Sequence, residues 1–261
     1  MKKIKYILIT FTLTLLVHAC NSRTKPESSD VQKETSEISF FASDSIEVFG
    51  DLHITDKSAP SIVLFHQGGS NGRAEYKSII PKLKDSGYNV LSIDQRVGGQ
   101  WYGGYNRTAS LIEHLDYGYC DAYPDMVGAL DYLKAKKLTG KIILWGSSYS
   151  GTLAIQLAHS RPNDVDAVLA FSPASGPPMA DCQASVYLES LTVPLIILRP
   201  GNEAKIESVK AQLALAKDNN HETYVAEDGI HGSSMLVESR TKTNVDSTMQ
   251  TVFNFLQKHS K

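Results

Sequence analysis

Ser148 is the residue best placed to act as a nucleophile. The apolar run Ile142-Ile143-Leu144-Trp145 leads into Gly146-Ser147-Ser148-Tyr149-Ser150-Gly151 and then into an apolar helical segment. A serine raised on a tight strand-to-helix turn, a nucleophile elbow, needs small residues two places before it and two and three places after it, because the crossing backbones leave no room for more. Gly146, Ser150 and Gly151 meet that demand for Ser148. Ser147 would put Trp145 and Tyr149 at the crowded positions, and Ser150 would put Thr152 and Leu153 there, so the register selects Ser148. Ser150 stands where the last glycine of a G-x-S-x-G elbow usually sits, and its side chain is small enough for the place. The same residues also fit an ordinary strand-turn-helix in which Ser147 or Ser148 caps the helix.

A neutral hydroxyl attacks esters and amides poorly, so Ser148 requires a base, a group that orients the base, and donors for the developing oxyanion. A base late in the chain suits the order serine, acid, histidine. His231, in Gly229-Ile230-His231-Gly232, follows the last expected strand and precedes the C-terminal helix. His159 and His259 fall in helices, His53 and His221 at strand ends, and His114 in a polar segment, while His66 follows a strand in a different part of the site. For the acid, Glu203 lies just past Leu195–Leu198 and opens a helix, where a carboxylate also interacts well with the helix dipole. Asp228, three residues from His231, is the rival and reads as a turn residue. The segment Phe65-His66-Gln67-Gly68-Gly69-Ser70-Asn71 can bring the Gly68 N–H towards the oxyanion, with Gln67 next to it and the Tyr149 N–H opposite.

HQGGSN after one strand, GSSYSG after another, a carboxylate after a third and GIHG near the end resemble the α/β-hydrolase superfamily, in particular its dienelactone-hydrolase-like and small-esterase branches. The resemblance spans residues 46–258. It implies an α/β fold with a mostly parallel sheet of about eight strands, helices on both faces, no large cap, and a triad falling on Ser148, Glu203 and His231. Dienelactone hydrolases proper carry a cysteine nucleophile, and this chain departs from them with a serine. The expected activity is that of a cofactor-independent serine hydrolase that cleaves a small-molecule carboxylic ester through an acyl-enzyme. A prolyl-oligopeptidase-like peptidase and a non-catalytic, membrane-tethered binding protein on the same scaffold are the alternatives.

The elements that must carry these groups are legible as alternating patterns. Residues 38–41 and 46–54 are β-rich and read as an N-terminal hairpin. Strands follow at 61–65, 88–93, 142–145, 167–171, 195–198 and 222–225, with helices at 74–86, 125–137, after Ser148, and at 245–258. Continuous apolar strands interleaved with helices indicate a parallel sheet covered on both sides. The glycine-rich loop 94–107, with Trp101, Tyr102, Tyr105 and two arginines, either lines a substrate cleft, even as a sugar platform, or packs on itself. Its glycine spacing is not that of a dinucleotide-binding turn, and no Walker loop or HExxH occurs.

The first residues form a separate unit. Lys2, Lys3 and Lys5 precede an apolar run from Tyr6 to Val17, too short to span a bilayer comfortably and of signal-peptide length. Val17-His18-Ala19-Cys20 resembles the lipobox of bacterial lipoproteins, which implies cleavage after residue 19, lipidation of Cys20 and attachment to the periplasmic or outer side of a bacterial membrane; release by general signal peptidase near Ala19 is the alternative. Residues 20–37 then read as a polar tether and 38–261 as one catalytic domain. The net charge of −2, with acids and bases mixed, gives no electrostatic case for a nucleic-acid partner. Cys120 and Cys182 remain to pair or stay free, and neither has neighbours suited to zinc.

Overall fold

Every residue from Ser61 to Phe65 is buried, and alternate side chains enter opposite hydrophobic clusters: Ile62 and Leu64 one, Val63 and Phe65 the other. The same alternation holds along the neighbouring strands, so the sheet is covered on both faces. The computed structural model describes residues 34–112, 114 and 116–261. The expected signal segment 1–19, Cys20 and the tether as far as residue 33 lie outside the described residues. The strands are β1 (Glu34–Phe41), β2 (Glu47–Ile54), β3 (Ser61–Phe65), β4 (Asn89–Asp94), β5 (Ile142–Ser147), β6 (Ala167–Phe171), β7 (Leu195–Pro200) and β8 (Glu222–Ala226). They form one sheet in the order β1-β2-β4-β3-β5-β6-β7-β8, in which only the β1–β2 and β2–β4 pairings are antiparallel.

The helices are α1 (Gly72–Glu75), α2 (Ile79–Asp85), α3 (Arg107–Leu111), α4 (Tyr123–Ala135), α5 (Tyr149–Ser160), α6 (Ser185–Leu188), α7 (Glu207–Asp218), α8 (Glu238–Thr241) and α9 (Asp246–His259). Helices α4, α5 and α7 place Met126, Leu130, Leu153, Leu157, Val209 and Leu213 on one face. On the other face α2 and α9 place Ile79, Leu83, Val252, Phe255 and Leu256 around Trp145. The chain leaves β3 towards β4 on one side and continues to β5 on the other. The carboxyl ends of β3 and β5 therefore flank the crevice where ligands bind in open α/β sheets.

Two expectations need correction. The helix expected over 74–86 is two helices, broken between Glu75 and Ile79. Pro81 has no N–H to continue a helical ladder back to Lys77, and Tyr76 at the break turns inward, its hydroxyl donating to the Phe65 carbonyl at 2.7 Å. The first strand begins at Glu34, so residues 34–37 of the expected tether belong to the sheet. Polar residues are at home there: Thr35 bonds His53 across the strand pair, and Glu37 meets Arg73 at 2.9 Å. Arg73 and Arg107 share Asp51, and Arg107 also holds Asp94 at 2.6 Å, so one network of charges fastens the N-terminal strands to β4.

Cys120 and Cys182 form a disulfide that closes a loop of 62 residues. Chain-entropy arguments assign a closure of that length about 4 kcal/mol. Cys120→Ser/Cys182→Ser is expected to lose stability on that scale in chemical denaturation under oxidising conditions, with the same loss produced in the parent by reductant. A denaturation midpoint unaffected by both changes would contradict a constraining bridge.

Candidate active site

The elbow is dictated by how closely β5 and α5 cross. A Cβ on Gly146 would lie 2.3 Å from the Ser150 carbonyl oxygen and 2.6 Å from the Gly151 Cα, and a Cβ on Gly151 would approach the Gly146 carbonyl at 3.1 Å. Ser150 is accommodated because its hydroxyl turns away, donating to the His66 carbonyl and to Gln95 Oε1 at the end of neighbouring strands. Ser148 itself sits at φ 61°, ψ −123°, a conformation that costs a non-glycine residue of order 1–3 kcal/mol and persists only where surrounding packing imposes it. The strain lifts the half-buried Ser148 hydroxyl clear of the sheet at the N-terminus of α5.

Ser148, His231 and Glu203 are brought together as one relay. His231 Nε2 lies 2.7 Å from Ser148 Oγ, and His231 Nδ1 lies 2.5 Å from Glu203 Oε1. With the Nδ1 proton donated to the carboxylate, Nε2 is left to accept from the serine hydroxyl. Asp228, the rival acid, is exposed and outside this relay. Burial alone pushes the Glu203 carboxyl up, but hydrogen bonds and charge from His231 and Arg199 outweigh it and hold the group below the usual carboxylate range.

The loop carrying His231 is pinned through three serine hydroxyls, of which Ser172 and Ser233 were not singled out by sequence reasoning and Ser147 was weighed there only as a nucleophile or helix cap. The Gly232 N–H donates to Ser172 Oγ at 3.1 Å, the Ser233 N–H to Ser147 Oγ at 2.9 Å, and Trp145 Nε1 to Ser233 Oγ at 2.9 Å. Gly232 adopts φ +67° above Ser147, whose hydroxyl would lie 2.5 Å from any added Cβ. Nothing in the sequence marks these hydroxyls as supports; only the neighbouring strand ends reveal what they hold.

The turn after β3 is clamped between two aromatic rings: a Cβ on Gly68 would meet Tyr119 at 2.9 Å, and one on Gly69 would meet Trp101 at 2.9 Å. The buried Glu75 accepts the Gln67 N–H at 2.9 Å from beneath. The Gly68 and Tyr149 amides donate to no described residue. His66 is a support within this turn. It is fully buried, its Nδ1 lies 2.8 Å from the Gln67 carbonyl and its Nε2 accepts the Gln95 N–H at 2.9 Å. Burial holds its imidazole below the usual range.

The loop 94–107 braces the same turn. The Trp101 and Gly99 amides donate to the Gly69 and Ser70 carbonyls, and the Tyr102 hydroxyl meets both Gln67 and Ser234 at 3.0 Å beneath Arg240. The open cleft beside Ser148, about 520 Å³, is lined elsewhere, by Tyr119, Tyr149, Pro177, Met179, Ile206 and Val209 among others. Tyr119 and Tyr149 stack with centroids 4.9 Å apart. The disulfide joins the two walls, since Cys120 follows Tyr119 and Cys182 closes the segment that begins at Ser172. No cluster of three or more His, Cys, Asp or Glu suited to a metal occurs among the described residues.

A protein-family profile described as alpha/beta hydrolase fold matches residues 60–187. Among solved structures, the chain is similar to the esterase Pf2001 of Pyrococcus furiosus, with a TM-score of 0.68 at 19% identity over 87% of this chain and 94% of that one. It is also similar to a dienelactone hydrolase from Anabaena variabilis, with a TM-score of 0.64 at 17% identity over 87% and 99%. The Pyrococcus horikoshii acylaminoacyl peptidase gives a TM-score of 0.64 at 16% identity, with 87% of this chain covering 42% of that one. No curated protein sequence matches the chain significantly. The protein has the α/β-hydrolase fold.

Because the folded Glu203 carboxyl titrates below its unfolded value, its stabilisation is complete above the unfolded value of about 4.3 and is lost as pH falls through the lower folded value. The stability difference between the parent and Glu203→Gln, measured by urea denaturation, is therefore expected to be largest above about pH 5 and to shrink below about pH 4. A difference independent of pH would show that the carboxylate charge is not what the site stabilises.

Proposed function

We propose that this protein is a serine hydrolase of the α/β-hydrolase superfamily that cleaves small-molecule carboxylic esters through an acyl-enzyme. The observation that carries the reading is the continuous relay from Ser148 Oγ through His231 to Glu203 at a strained elbow. In this reading His231 Nε2 takes the Ser148 proton as Oγ attacks the ester carbonyl, and Glu203 stabilises the resulting imidazolium. The Gly68 and Tyr149 amides, the latter at the positive end of α5, receive the oxyanion. Collapse of the tetrahedral intermediate expels the alcohol with the proton returned by His231. Water, activated by the same imidazole, then releases the acid and restores Ser148. The mainly apolar cleft beside the serine suits an uncharged organic group on one arm of the ester. The reaction requires no cofactor.

Ser148→Ala and His231→Ala are each expected to lower turnover on the order of a million-fold while leaving the far-ultraviolet circular dichroism unchanged. A fluorophosphonate should label the parent at Ser148 and leave Ser148→Ala unlabelled. A panel of p-nitrophenyl esters run beside aminoacyl amides separates esterase from peptidase. Normal ester hydrolysis by folded Ser148→Ala would remove the assignment.

We also propose that the chain is exported and acylated at Cys20, with residues 21–33 linking the lipid to the domain. The basic head, the short apolar run and the Ala19-Cys20 junction support this reading, as does the Cys120–Cys182 bridge, a feature of oxidising compartments. Intact-mass measurement of native protein should find an N-terminus at Cys20 carrying acyl chains. An unlipidated N-terminus in the detergent-free fraction would refute the anchor without touching the catalytic reading.

A further inference from the structure

We infer that Arg199 is a positioning residue of the relay, holding the Glu203 carboxylate in the orientation that fixes the His231 ring. The inference rests on the serine-hydrolase reading above. Glu203 divides its two oxygens: Oε1 meets His231 and Oε2 accepts from an Arg199 terminal nitrogen at 2.9 Å. Glu203 lies in a single turn after β7, beside Asn202, and that turn contributes no other hydrogen bond to its carboxylate. Without a second partner on Oε2 the side chain is free to rotate towards water.

Arg199 is well built for the task. Its side chain is 4% exposed, and its other terminal nitrogen donates to the Pro173 carbonyl and to Gln212 Oε1 at 2.6 Å. Gln212, from α7, in turn donates to the Ala174 carbonyl at 2.9 Å. The guanidinium is thereby clamped between the end of β7, the start of the cleft wall and α7, and the acid inherits that rigidity. Its Nε is buried without a partner. A buried guanidinium with an orphaned N–H is a poor device for stability, since apolar replacements of buried ion pairs are often neutral or better. Its placement on the far oxygen of the acid accounts for it.

The groups facing the Glu203 carboxyl are Arg199 from β7 and His231 from the loop after β8, while α7 contributes the neutral Gln212 and the elbow the neutral Ser148. Arg199 is the permanent cation of this set, so removing it takes away both the bond to Oε2 and a charge that favours the carboxylate.

The experiment compares parent, Arg199→Gln and Arg199→Lys on a p-nitrophenyl ester, with kcat referred to sites titrated by fluorophosphonate so that only folded protein is counted. Arg199→Gln is expected to lose about a hundredfold in kcat, the scale of a displaced catalytic group, with KM little changed. Arg199→Lys, which keeps the charge but loses the fork, should recover part of kcat. Titrated variants with the parent's kcat, or a loss confined to KM, would overturn the inference, as would failure of both variants to fold, which would make the residue structural. If the parent itself neither reacts with the probe nor hydrolyses esters, the serine-hydrolase reading fails, and the inference with it.

Discussion

The closeness with which β5 and α5 cross is the constraint on which the rest of the site depends. A side chain at Gly146 would collide with the Ser150 backbone, and one at Gly151 would crowd the Gly146 carbonyl, while between them Ser148 holds an unfavourable backbone conformation. Once the turn is made, the height of the Ser148 hydroxyl, the direction of the first α5 amides and the distance to the His231 loop all follow. The energetic cost is met locally by burial of β5 from Ile143 onward on one side and of the first turns of α5 on the other.

Two kinds of interaction fix the partners of the serine. Neutral hydroxyl contacts to backbone amides hold the His231 loop and leave the imidazole half exposed. A buried ion pair holds the acid, which stays ionised. The histidine's loop is thus held by uncharged groups, while the carboxylate it meets is anchored by a permanent cation. The cleft wall is tied to the anchor of Glu203 through the Pro173 carbonyl, so the cleft and the Ser148–His231–Glu203 geometry share one support.

What the sequence disclosed was what sterics and continuous hydrophobicity impose. The elbow register, the buried strands and the positions of Ser148, Glu203 and His231 after three different strands are each written as a local pattern. The strand start at Glu34 was not legible, because polar residues alternating on an edge strand resemble a tether until Arg73 and Arg107 are seen to meet Glu37. Pro81 did carry the signal for the helix break, but the apolar residues around it favoured one continuous helix. The supporting residues Ser172, Ser233 and Arg199 act across long sequence separations and have no local signature. The aromatic loop 94–107 left two readings open, and its hydrogen bonds to the turn after β3 show it to be a brace.

The adjacent serines of the elbow look interchangeable in a sequence, and they are not. Alternation along β5 turns Ser147 beneath the sheet edge, where its hydroxyl is committed to the Ser233 amide, while the strained turn presents Ser148 to the cleft. Ser147 therefore cannot stand in for Ser148. An evolutionary path that shifted the presented hydroxyl by one place would have to release the His231 loop and rebuild the strand–helix crossing in the same step, so the register of this turn is locked by two independent penalties.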